Sequence, residues 1–102
     1  MKEKQILVMI KEPGKDPRVE PLFPNELEAF QKAVGGYIET VTVADDLVVI
    51  CNEEGILKVM PYNCEAFGNM FLGPIVVAGV KGEEFASLKA KYIPMLRKVL
   101  RG

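Results

Sequence analysis

The tetrapeptide Asn52-Glu53-Glu54-Gly55 sets an amide, two carboxylates and accessible backbone in four consecutive positions. Glu39 and Asn63 add a further carboxylate and amide from either side along the chain. Oxygen donors of these types suit a cation or a small polar ligand. A carboxylate-only acid–base mechanism would pair Glu39 with Glu53 or Glu54, with or without a divalent metal. The chain has no histidine, which removes Ser-His-Asp triads, HExxH zinc sites and imidazole proton shuttles. Nothing resembles a nucleophile elbow, so no residue is assigned to catalysis, to a cofactor or to a metal. The pair Gly35-Gly36 is no phosphate cradle, because it follows a helix C-terminus, where the dipole is negative.

For these residues to form a site, the chain must bring them to one border, and its alternation shows how. Tyr37–Val43 reads as a strand with Tyr37, Glu39, Val41 and Val43 on one face. Glu39 is then a partly buried carboxylate in need of a partner if that face is covered. Ala44-Asp45-Asp46 turns the chain into the apolar run Leu47–Cys51, a central strand. Asn52–Gly55 is a tight turn, with Asn52 opening it and Gly55 taking a positive φ. Ile56–Met60 reads as the return strand of a three-stranded meander. Antiparallel neighbours place Gly35-Gly36 and Asn52–Gly55 at the same end of the sheet, so the diglycine and the acidic corner share one polar rim. Pro61–Gly73 has no clear period and is a long connection anchored by its own apolar residues; such loops tend to carry function.

Around this meander, Ile6–Ile10 is a strand buried on both faces, and Arg18–Phe23 pairs with it as an edge strand, since Pro21 lacks a ladder donor. Asn25 caps a helix over 26–34 with Glu28 three positions on, and Gly35 closes it. Leu27, Phe30 and Val34 form its apolar face. Gly73–Val80 is the last strand, with Gly79 at a bulge or a close backbone approach. Ser87 caps a short turn over 87–92, and Pro94 restarts the closing helix as its first residue. The expected fold is a single α+β domain over residues 1–102. It is a mostly antiparallel sheet of about six strands, ordered β-β-α-β-β-β-β-α, with both helices on one face.

Bulk properties narrow the function classes. Of the 102 residues, 49% are hydrophobic and 26% charged, the mix of a globular domain and not of a disordered, collagen-like or coiled-coil chain. Net charge is −1, so no global field selects nucleic acid or a basic partner. Within it, residues 87–102 hold five of the 13 basic groups (Lys89, Lys91, Arg97, Lys98, Arg101) and none of the 14 acidic ones. Without interleaved aromatics for stacking, that cluster complements a helix end better than it binds nucleic acid. Cys51 ends an apolar run as a small buried hydrophobe, whereas Cys64 falls in the long loop, open to exposure. Two cysteines so far apart make neither a disulfide scaffold nor a zinc site. The five apolar residues Ile6–Ile10 are too few for a signal peptide or a membrane span, and free thiols fit the cytoplasm.

The strings Val34-Gly35-Gly36-Tyr37-Ile38-Glu39 and Ile50-Cys51-Asn52-Glu53-Glu54-Gly55, with Pro61-Tyr62-Asn63, Gly73-Pro74 and Phe85-Ala86-Ser87-Leu88, resemble a family of small bacterial and phage proteins. That family is catalogued only as a domain of unknown function, and its members often sit in phage or mobile-element gene clusters. The resemblance spans nearly the whole chain and departs from the pattern at Pro94. It implies a stand-alone small domain, and it marks Glu39, Asn52, Glu53, Gly55 and Asn63 without giving them a role. The expected function is a non-enzymatic accessory or binding protein. It would engage a protein partner or small polar ligand through the Asn52–Gly55 rim and the 61–73 loop, with no cofactor. A small carboxylate-dependent enzyme is the alternative, and a nucleic-acid-associated protein ranks third. An exposed strand edge would also allow a homodimer, with Pro21 guarding one side.

Overall fold

Leu47–Asn52 is buried at all six positions, and Ile75–Gly79 is buried throughout. Strands of that kind need a cover on each face, and the chain supplies two different ones. The computed structural model describes residues 3–101. Its elements run β1 (Gln5–Lys11), β2 (Arg18–Pro24), α1 (Leu27–Val34), β3 (Ile38–Ala44), β4 (Leu47–Asn52), β5 (Tyr62–Ala66), β6 (Asn69–Leu72), β7 (Ile75–Lys81), β8 (Glu84–Ala86) and α2 (Ile93–Val99). A 3-10 turn, Ala90–Tyr92, precedes α2. The six-stranded sheet has the order β2-β1-β7-β4-β3 with β8 also on β7, and β5-β6 form a separate hairpin. Every pairing is antiparallel. The α+β class and the order of elements follow the sequence reading.

The placement of the helices does not. Val8, Ile10, Val48, Ile50, Val76 and Ala78 face α1, which contributes Phe30 and Val34. Their sequence neighbours Met9, Leu47, Val49 and Val77 face the other way, onto the β5-β6 hairpin and Leu96 and Leu100 at the C-terminal helix. The two helices therefore cover opposite faces, because a period of two sends successive residues of a fully apolar strand to both sides. On the α1 face Phe30 packs between Phe23 and Phe85, with ring centroids 5.0 and 4.9 Å away. Leu27, expected on the same stripe, is exposed.

The expected three-stranded meander is also corrected. Residues 56–60 form turns, not a strand, and the second neighbour of β4 is β7. Two new strands occupy the stretch that read as a loop. Their turn, Phe67-Gly68, has φ values of 53° and 75°, the paired positive φ of a two-residue hairpin of the primed type. Asn25 does not cap α1 with its side chain. Its buried amide donates to the carbonyls of Glu3 (2.9 Å) and Phe85 (3.0 Å), and Glu26 takes the cap position without a side-chain bond. Pro94 lies in the first turn of the closing helix, which starts one residue before it, at Ile93, directly after the 3-10 turn. Asp46 ties that region to the β3-β4 turn, accepting from Lys89 Nζ (2.7 Å) and Tyr92 Oη (2.6 Å). The Lys89 bond, then the Tyr92 bond, lowers its carboxyl pKa to about 2.

Candidate functional site

The end of α1, the start of β3 and the end of β4 meet at one corner. Ile38 pairs with Asn52, and the Glu53 N–H donates to the Tyr37 carbonyl at 2.9 Å. Gly35, at φ 84°, closes α1. Its helix leaves terminal carbonyls without partners, and the buried Asn52 amide donates to one of them, Val34 O, at 3.1 Å. Asn52 Oδ1 accepts from the Glu54 N–H at 2.7 Å, so this one side chain both caps the helix and shapes the acidic turn. Gly36 makes room for it, since a Cβ there would lie 2.9 Å from Asn52 Nδ2. The diglycine and the acidic corner thus share one border, as the strand reading required.

Gly55 is present for a different reason than expected. Its φ is not positive. A Cβ there would come within 3.1 Å of the Leu72 carbonyl, so the residue lets the turn lie against the β6 end. That approach closes a cleft of about 210 Å³, with Glu39, Asn52, Glu53 and Gly55 on one side and Asn69–Leu72 of the hairpin on the other. The segment expected to wall the site does so, as a strand. Glu39 lines the cleft but is exposed, so it needs no buried partner. Glu54 is half-buried and lies outside the lining residues.

Asn63 belongs elsewhere. It is buried beside Lys11 at the end of β1, where its amide donates to the carbonyls of Lys11 (2.7 Å) and Gly73 (2.8 Å) and its Oδ1 accepts from Lys11 Nζ (2.9 Å).

The residues that sequence reasoning missed are apolar. Ile56, Leu57 and Met70 line the cleft while 71%, 81% and 53% exposed. β-Branched content made 56–60 look like a strand. Yet Lys58 N–H bonds back to Glu54 O (2.9 Å), Met60 N–H to Gly55 O (3.1 Å), and Val59 sits at φ 50°. The backbone bonds close locally, which leaves the apolar side chains in water.

Both cysteines are buried and free, including Cys64, which lies in β5 and not in an open loop. Cys51 lines the cleft, and burial, then the Glu39 charge, raises its pKa to about 11. Burial also raises that of Cys64, against a smaller opposing pull from Lys11. Neither is a nucleophile near neutrality. A thiol whose pKa folding raises from 9.0 contributes fully below that pH and loses its contribution as pH rises toward 11. We expect urea unfolding to show a loss on the order of 2 kcal/mol over that window. In Cys51→Ala this share of the pH slope should vanish; an unchanged slope would refute the assignment.

Among the described residues, no three or more Cys, Asp or Glu side chains gather closely enough to hold a metal ion. No helix among them is long and apolar enough to cross a membrane. A family model described as a domain of unknown function, DUF3846, matches residues 4–100. No curated protein and no solved structure matches.

Proposed function

We propose that the chain, which belongs to the DUF3846 family, is a binding domain that seats a segment of a protein partner in the cleft between the Asn52–Gly55 turn and β6. The observation that carries this reading is the exposure of Ile56, Leu57 and Met70 around the cleft. Clustered apolar side chains held in water by a locally bonded turn mark an interaction surface better than a folding unit. Size selects the occupant. At about 210 Å³ the cleft falls below the ~300–1,000 Å³ typical of small-molecule sites, and suits one side chain of a larger partner.

Charge selects that side chain. Glu39 and Glu53 are the charged residues of the rim, and neither is ion-paired to a described residue. Lys58, the basic residue of this turn, has its ammonium over Gly36 instead. The occupant is therefore a Lys or Arg flanked by apolar residues, and β3, at the sheet edge, offers backbone groups alongside it. The carboxylate-enzyme alternative, if it used a metal, would have to draw ligands beyond carboxylates, since the described residues bring no three Cys, Asp or Glu side chains together. The resemblance carried by the VGGYIE and ICNEEG strings supports an accessory protein of a phage or mobile element, and the two free thiols fit the cytoplasm.

The test is a peptide array with backbone-amide NMR mapping. Peptides with Lys or Arg between Leu or Ile should bind, shift the amides of 52–57 and 69–72, and lose about tenfold in affinity against Glu53→Gln. Binding only of acidic peptides, or shifts confined to other surfaces, would overturn the proposal.

A further inference from the structure

We infer a second, independent site, for a small oxyanion, where the β1-β2 turn meets the end of the C-terminal helix. Lys11 is 2% exposed. A buried ammonium is costly unless a carboxylate or a full set of acceptors meets it. Here the partners are neutral: Asn63 Oδ1 at 2.9 Å and the Glu12 carbonyl at 3.0 Å. An ammonium has three N–H donors, so one remains without a protein acceptor among the described residues, and no described carboxylate is ion-paired to it.

Lys11 also lines a cleft of about 330 Å³, shared with Lys15, Asp16, Asn63 and Arg101. A second cleft adjoins it through Asp16 and Arg101 and adds Arg97. Four cations and one carboxylate, Asp16, thus line the two adjoining clefts. No ion pair joins Asp16, Arg97 or Arg101 to a described residue, and Lys15 has only the half-buried Glu12, which Arg18 shares, at 3.5 Å. The segregation of basic residues into 87–102 acquires a use here. Arg101, just past the helix end, shares the first cleft with Lys11 of β1 and Lys15 of the β1-β2 turn, and Arg97, one turn earlier, lines the adjoining cleft. Arginine forks with a fixed lysine donor match the planar or tetrahedral oxygens of a carboxylate or phosphate. The site fits the size of a small molecule, and it shares no residue with the peptide cleft.

The experiment is an NMR titration of the full chain with inorganic phosphate and with succinate, each against chloride at matched ionic strength. We expect saturable shifts at residues 11–16 and 97–101 that chloride does not produce. The tighter of the two ligands identifies the phosphate or the carboxylate as the natural group. Arg101→Ala and Arg97→Ala, both at exposed positions, should each weaken binding about tenfold while leaving the remaining spectrum in place. Four outcomes would overturn the inference: non-saturating shifts, equal response to chloride, affinity unchanged in both arginine variants, or binding of duplex DNA without binding of either small anion.

Discussion

Asn63→Ala should destabilise the protein by about 4 kcal/mol in urea unfolding, a large part of the ~5–15 kcal/mol available to a domain of this size. One side chain serves three buried groups: the carbonyls of Lys11 and Gly73 and the Lys11 ammonium. Alanine would orphan both carbonyls and remove a charge-assisted bond, at about 1–3 kcal/mol for each group left unpaired. Asn63→Asp should not rescue the fold, because a carboxylate would face two carbonyl oxygens where the amide donates. Lys11→Met isolates the electrostatic part. In the double variant the ammonium no longer needs an acceptor, so the combined loss should fall about 1–2 kcal/mol short of the sum of the single losses. A loss below about 1 kcal/mol for Asn63→Ala, or strict additivity, would show that the Lys11 amine finds other acceptors and that Asn63 does not hold it.

Why Asn63 lies away from the acidic corner, while Gly35-Gly36 and Asn52–Glu54 share the expected border, comes down to the range over which each is determined. The corner rests on neighbours: a helix closed by Gly35, a strand of alternating residues, a four-residue turn and a strand pairing back. Each step is local, and the border shared by Gly35-Gly36 and Asn52–Glu54 follows from them. Asn63 is fixed by Lys11, 52 positions away, and no pattern near Asn63 announces that partner.

The two helices illustrate a conflict that the sequence itself contained. Apolar runs such as Leu47–Cys51 require cover on both faces, so two helices on one face would have left Leu47, Val49 and Val77 facing water. The β5-β6 hairpin was hidden because its turn uses Phe67 at positive φ, where Asn or Asp is the usual residue. Phe67 accepts that conformation while packing against the core cluster on the α2 face. In 56–60, β-propensity lost to bonds that close within the turn, and the misread residues are those the proposed interface uses.

Gly79→Ala should lower the melting temperature by about 15 °C, corresponding to about 3 kcal/mol at the ~4–8 °C per kcal/mol of a domain this small. Gly79 was expected to mark either a bulge or a close approach; it marks the approach. It pairs with Ala86 of β8 on one side and Leu47 on the other. A Cβ would collide with the Ser87 carbonyl oxygen and lie 3.0 Å from its carbonyl carbon. These are backbone atoms, which yield only if the strand moves. β8 is three residues long, so displacing it removes its whole pairing with β7. It also strains the clasp in which Leu88 N–H donates to Leu7 O (2.8 Å) and Leu7 N–H to Ser87 Oγ (3.1 Å). Gly82→Ala is the matched control. Its φ is +65° but nothing lies within 4 Å of a Cβ, so only backbone strain of about 1 kcal/mol is expected. Hydrogen exchange should separate the two, with faster exchange at Leu7 and Leu88 in the Gly79 variant alone. If both variants melt within about 2 °C of each other, the β7-β8 contact does not hold the closing helix to the sheet, and the α2 face must be retained by its apolar residues, Leu88, Leu96 and Leu100, without it.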